Sequence, residues 1–111
     1  MKIAVPLVEG SLSMHFGHCD AFAVMDVDDT GAVTYREDLI PPAHEPGVLP
    51  QWLGSLKVNC IIAGGMGSRA QNLFASNGIS VVIGAPLKRP EELASMCVAG
   101  TLESGDNVCD H

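Results

Sequence analysis

Apolar residues come in short bursts along this chain, and the spacing inside each burst predicts an element. The opening "KIAVPL" is a near-continuous apolar run, the pattern of a strand buried on both faces. "AFAVMDVD" and "AVTYRED" are two more strand-like runs. The "DDTG" between them, with Gly31 supplying a permissive backbone, predicts a turn and so a hairpin. Leu49, Trp52, Leu53 and Leu56 then fall at i, i+3, i+4 and i+7, one stripe of an amphipathic helix. Pro50 fits only in the first turn of that helix. "VNCIIAGG" is a strand stopped by a glycine pair. "MGSRAQNLFASNG" predicts a helix that turns Ala70, Leu73 and Phe74 inward and closes at Gly78. "ISVVIG" is the next strand. "RPEELASMCVAG" predicts a third helix, with Pro90 near its start, acids in its first turn and Gly100 at its end.

The order is therefore strand, hairpin, helix, strand, helix, strand, helix. The strand–helix–strand unit forces a parallel pair with a right-handed crossover, and the hairpin adds antiparallel pairing. The expectation is a single α/β domain over residues 1–100, a mixed five-stranded sheet flanked by three helices. Residues 101–111, "TLESGDNVCDH", lack periodicity and predict a flexible tail. Residues 8–20 also lack a helix or strand pattern. A loop that long inside a small domain is often functional.

Composition narrows the function classes. Of 111 residues, 47% are hydrophobic and 17% charged, enough apolar material for one core, and the 5% aromatic content makes that core aliphatic. The formal net charge of −7 argues against nucleic acid and anionic membranes as partners, since both attract basic surfaces. No apolar run approaches the roughly 18 residues of a membrane span, and "MKIAVPLVEG" reads as a strand without a secretory signal. The expected compartment is the cytoplasm. Cys19, Cys60, Cys97 and Cys109 include no Cys-x-x-Cys pair, so in a reducing compartment they are free thiols or ligands.

Two segments could carry chemistry. "SMHFGHC" gathers Met14, His15, His18 and Cys19, a donor set that suits zinc, copper or an iron–sulfur group, the thioether favouring Cu(I). The alternative is an ordinary surface loop anchored by Phe16. "GGMGSRA" puts Gly64, Gly65 and Gly67 at a helix start, where free amides attract anions, with Met66 and Arg69 beside them. It is neither a Walker A loop nor G-x-G-x-x-G, and a tight packing turn is the simpler account. If the first and fourth strands are neighbours, both segments meet at the carboxyl rim of the sheet, where α/β folds gather ligands. Cys109 and His111 form a further Cys-x-His pair in the tail, while Cys60 and Cys97 fall at core positions. His44 lies in a proline-rich connector. No nucleophile–base–orienter set stands out. A thiol enzyme using Cys19 with His15 or His18 is open but has no further support.

Taken together, "KIAVP", "SMHFGHCDAF" and "IIAGGMGSRAQNLF" ahead of "GISVVIGA" resemble the dinitrogenase iron–molybdenum cofactor biosynthesis family, over nearly all of the first 100 residues. That family includes small cofactor carriers of nitrogenase assembly and the orange protein of sulfate-reducing bacteria, which holds a molybdenum–copper sulfide cluster. The resemblance implies a ribonuclease-H-like sheet. It also implies a non-catalytic binding or carrier role for a molybdenum–copper or molybdenum–iron sulfide cluster, and a monomer with transient donor or acceptor proteins. The matching positions are Ser13, His15, Phe16 and Gly17 in the first motif, and Gly64, Gly65, Met66, Gly67 and Ala70 in the second. His18 and Cys19 are extra to the family pattern and lean toward the copper-containing type. The rival expectations are a simple zinc or Cu(I) protein using Cys19 and His18, with Cys109 and His111 as further ligands, and an interaction module without a ligand.

Overall fold

The apolar N-terminal run becomes the central strand of a mixed sheet. The structure, a computed structural model, describes residues 1–12, 19–42, 47–85 and 88–100. The strands are β1 (Lys2–Val8), β2 (Ser11–Leu12), β3 (Ala21–Val27), β4 (Val33–Leu39), β5 (Cys60–Ile62) and β6 (Ser80–Val82). The helices are α1 (Val48–Ser55), α2 (Ser68–Ser76) and α3 (Pro90–Ala99). The sheet runs β4-β3-β1-β5-β6. β1 pairs antiparallel with β3 on one side and parallel with β5 on the other. This is the five-stranded, three-helix, ribonuclease-H-like arrangement that the pattern and the resemblance predict.

Alternation along β1 divides the core into two layers. Ile3, Val5 and Leu7 join Met25, Cys60 and Ile62 beneath α3. Ala4 joins Phe22, Val24, Ile61 and Phe74 beneath α1 and α2. The α1 stripe lands as expected, and α2 turns Phe74 inward, but Leu73 stays outside the core cluster. Leu49 and Leu53 are buried under α1 with Pro50 in its first turn, and Trp52 meets Phe22 edge-on, ring centroids 5.8 Å apart. Phe74 is fully buried, while Ala70 is only partly covered.

One element was not expected. The pattern-free residues 8–20 begin with a hairpin, in which β2 folds back on β1 with Val8 opposite Ser11. Glu9 (φ 52°) and Gly10 (φ 83°) form its two-residue turn, and both sit in the left-handed region that a type I′ turn demands. A glutamate is a poor signal for such a turn, so the sequence hides it.

Pro6 lies inside β1, where a proline would normally cost a ladder bond. Its position explains why it does not. The Lys2 N–H donates to Asn59 Oδ1 and the Lys2 carbonyl accepts the Asn59 N–H, each at 2.8 Å. Even-numbered residues of β1 therefore face β5. Pairing with β5 ends at Ala4 opposite Ile61, so Pro6 removes a donor where no β5 partner follows.

The α3 layer is tied to the β3–β4 turn. Asp28 Oδ1 accepts the amides of Thr30 and Ala32 and the Thr30 hydroxyl, which fixes the turn. Gly31 then approaches α3: Ser95 Oγ donates to the Gly31 carbonyl at 2.6 Å, and a Cβ on Gly31 would stand 3.4 Å from the Ser95 carbonyl oxygen. With φ at 87°, Gly31→Ala adds backbone strain to that crowding. Its unfolding free energy in urea should fall by about 1–2 kcal/mol with an unchanged slope. An unchanged midpoint would show that the turn relaxes freely.

Burial, and secondarily the neighbouring Cys97 thiol, push the Cys60 thiol up from 9.0 to about 12. The folded protein therefore holds this proton more tightly than the unfolded chain does. The resulting stability is intact below pH 9 and declines as pH rises from there toward the folded value. Urea midpoints should drop between pH 8 and pH 10.5, and less steeply in Cys60→Ala. An equal drop in the variant would place the alkaline loss elsewhere.

Candidate functional site

β1 and β5 are parallel neighbours, so their carboxyl ends open on the same rim. The chain leaves β1 into β2 and leaves β5 toward α2 and β6. Folds of this kind gather ligands outside the carboxyl ends of such strands. Three stretches border this rim: the flanks of the His/Cys segment, the glycine turn after β5, and the end of β6.

Both flanks of the His/Cys segment are fastened to β1. Leu12 pairs with Leu7, and the Asp20 N–H donates to the Leu7 carbonyl at 2.8 Å. Asp20 Oδ2 also accepts the Glu9 N–H at 3.3 Å. Cys19 is half-buried against the apolar cluster that contains Ala63, Met66 and Phe74, so it shares the α1/α2 side of the sheet with the glycine turn. Burial pushes its thiol up to about 11, and the adjacent Asp20 carboxylate adds to the shift. It is not the low-pKa thiol that a nucleophile requires. Ser13, Met14, His15, Phe16, Gly17 and His18 lie outside the described residues, as do His44, Cys109 and His111. Among the described residues no group of three His, Cys, Asp or Glu side chains is placed to hold a metal ion.

The glycine turn is stitched to the end of β6. The Ala63 N–H donates to the Val82 carbonyl, the Gly84 N–H to the Gly64 carbonyl and the Ala85 N–H to the Ala63 carbonyl, at 2.9, 3.0 and 3.2 Å. Gly64 and Gly65 are buried. Met66 is fully buried within the α1/α2 cluster, so its side chain anchors the turn from below. Gln71, one turn into α2, reaches back and its Nε2 donates to the Met66 carbonyl at 2.9 Å. Gly84, Ala85 and Gln71 were not singled out as site residues, although "GISVVIGA" carries the first two.

Gly67 is the N-cap of α2, with no side-chain cap, at φ −64° and ψ 153°. Those angles suit any residue, and a Cβ there would meet nothing within 4 Å. Neither backbone strain nor packing requires this glycine. What it leaves bare is the start of α2, where the first amides have no carbonyl a turn earlier to bond. Arg69 is exposed at the second position of α2, in its first turn. A cation there opposes the helix dipole, and no acid sits in that turn. The arrangement can receive an anion: bare amides, the positive end of a nine-residue helix and a guanidinium at its edge.

Removing the Gln71 side chain tests how the turn is held. Gln71→Ala should lose about 1 kcal/mol of stability. Amide exchange should quicken at residues 67–70 and stay unchanged in β1. Equal protection in both places would mean that the β6 bonds alone fix the turn.

Among the described residues no helix is long and apolar enough to cross a membrane. An uncharacterised protein of Methanocaldococcus jannaschii is 33% identical over 86 residues, which cover 73% of this chain and 72% of that protein. The crystal structure of PH0822 superposes with a TM-score of 0.82 at 29% identity, over 94% of each chain. The apo form of the orange protein from Desulfovibrio gigas shares the fold, with a TM-score of 0.72 at 20% identity over 96% of this chain and 93% of that one. The family model described as dinitrogenase iron-molybdenum cofactor matches residues 1–100, and the chain belongs to that family.

Proposed function

We propose that this protein is a non-catalytic binding or carrier protein for an anionic metal–sulfide cluster of the molybdenum–copper or molybdenum–iron class. The observation that carries the proposal is Gly67: a glycine that the fold does not need, at the bare start of α2, beside a cation that the helix dipole does not favour. An anion at that position makes sense of both. The cluster is the cargo. Backbone amides after Gly64, Gly65 and Gly67 would bond its sulfides, and Arg69 would balance its charge. Ser13, Met14, His15, Phe16, Gly17, His18 and Cys19 would close over it from the β1 side, His15, His18 and Cys19 being the soft or borderline donors. Cys109 and His111 would complete the coordination from the tail. The reading includes a cytoplasmic monomer that meets donor and acceptor proteins transiently, with residues 1–100 as the binding domain.

A bare-ion reading, zinc or Cu(I) on Cys19 and His18, is favoured by one observation. Cys19 lies on the same side of the sheet as the glycine turn and beside no described cation. The two readings differ in the sign of the ligand's charge, and Gly67→Asp separates them. Aspartate is a preferred N-cap, and ψ 153° suits it, so the variant should match or exceed the parent's stability by up to about 1 kcal/mol. Its carboxylate would occupy the anion position. Anaerobically purified parent should contain molybdenum and inorganic sulfide, or take them up from thiomolybdate and copper with new visible bands. Gly67→Asp should lose that uptake at least tenfold while folding normally. A parent that stays colourless with thiomolybdate, and a variant that holds zinc or Cu(I) as well as or better than the parent, would overturn the cluster reading.

A further inference from the structure

Cys60 and Cys97 lie far from the rim and take no part in the site proposed above. Cys60 opens β5 and is paired on both sides, with Ile3 of β1 and Ser80 of β6. Only 4% of its surface is exposed, and it belongs to the core cluster beneath α3. Cys97 is in the last turn of α3, one helical turn beyond the fully buried Leu93, and packs against that same cluster while keeping part of its surface open. The Cys60 thiol donates to the Ile61 carbonyl, the Cys97 thiol is near enough to raise its pKa, and both cysteines are free.

Neither backbone is loose. β5 is an interior strand. α3 is pinned at two more points, by Ser95 Oγ on the Gly31 carbonyl and by Arg36 of β4 on Glu91. Two thiols that share one core layer, on elements fixed independently, are held as neighbours.

We propose that Cys60 and Cys97 form an intramolecular cross-link site, a dithiol that low-molecular-weight disulfides convert to a disulfide joining β5 to α3. Cys97 reacts first because it is the accessible member. Its thiolate attacks one sulfur of the small disulfide, a mixed disulfide forms, and the first small thiolate leaves and takes up a proton. The Cys60 thiolate then attacks the Cys97 sulfur and releases the second small thiol. Two protein thiols lose two electrons and two protons, and one small disulfide becomes two small thiols. The reaction is slow, since burial keeps Cys60 protonated. Once closed, the link spans α2 and β6 and restricts the unfolded chain.

The test uses the full chain, reduced and then incubated with oxidised glutathione. After the exchange is quenched in acid, unreacted thiols are alkylated in chemically unfolded protein before peptide mapping by mass. The expected result is a Cys60–Cys97 disulfide, less two hydrogens, and a melting temperature higher by about 10 °C that a dithiol reverses. Cys97→Ser keeps Cys60 in the core and should give neither the link nor the shift. The double variant Cys19→Ser/Cys109→Ser should give both, which rules out exchange with the other two cysteines. Three outcomes would overturn the proposal: both thiols alkylated after oxidation in chemically unfolded protein, a glutathione adduct on Cys97 that never resolves, or a link that lowers the melting temperature through strain.

Discussion

β1 pairs unequally with β3 and β5, and most of the molecule follows from that asymmetry. Against β3 it is paired along nearly its whole length, from Lys2 to Leu7. Against β5 it is paired only at Ile3 and Ala4. The longer ladder fixes the hairpin and both core layers. The shorter one stops before the carboxyl end of β1, and Pro6 makes that stop permanent, since it offers no amide to extend the pairing. Backbone groups beyond that point must bond elsewhere. After β1 they bond to β2 and Asp20, and after β5 to the end of β6 and to Gln71. The rim is firm because its loose groups are tied to other elements.

The same rim resolves a conflict of charge. A chain of net charge −7 repels anions at a distance, yet the family's cofactor class is a metal–sulfur group. Repulsion between separated charges fades beyond about 8 Å at physiological ionic strength. Amides at hydrogen-bond range are not screened in that way. Within the first turn of α2, the only charged side chain is Arg69. Of the acidic groups that the structure fixes, Asp20 lies on the β1 flank of the rim, and the others sit elsewhere: Asp28 in the β3–β4 turn, Asp38 on β4 with Arg36, and Glu91 and Glu92 at the start of α3. Local polarity, not net charge, decides what this surface can hold.

Much of this was legible in the sequence, for a physical reason. Strand runs such as "KIAVPL" and stripes such as Leu49, Trp52, Leu53 and Leu56 report burial directly, and burial is what organises the two core layers. Gly78 and Gly100 marked helix ends because both adopt positive φ there. The misses share a different cause. β2 has two residues, too few to show alternation, and its turn uses Glu9 in a conformation that glutamate rarely takes. Gln71 acts through a bond to a backbone carbonyl five residues earlier, and no residue-type pattern announces such a bond. Met66, which the sequence places beside the glycines, is fully buried and serves as a footing beneath the turn.

The cysteines show how one residue type divides by environment. Cys19 and Cys60 are both pushed toward the protonated form by burial, yet their surroundings differ. Cys60 faces a second thiol in a closed apolar layer, where the available chemistry is between the two sulfurs. Cys19 lies at the rim, on the same side of the sheet as the glycine turn. A soft metal that binds a thiol displaces its proton, since the metal–thiolate bond replaces the charge that burial penalises. Burial therefore favours the neutral form of both Cys19 and Cys60. The glycine turn needs no such activation, because an amide is polar at every pH. Recognition by backbone first, with side-chain ligation afterwards, is the sequence of events that this division favours.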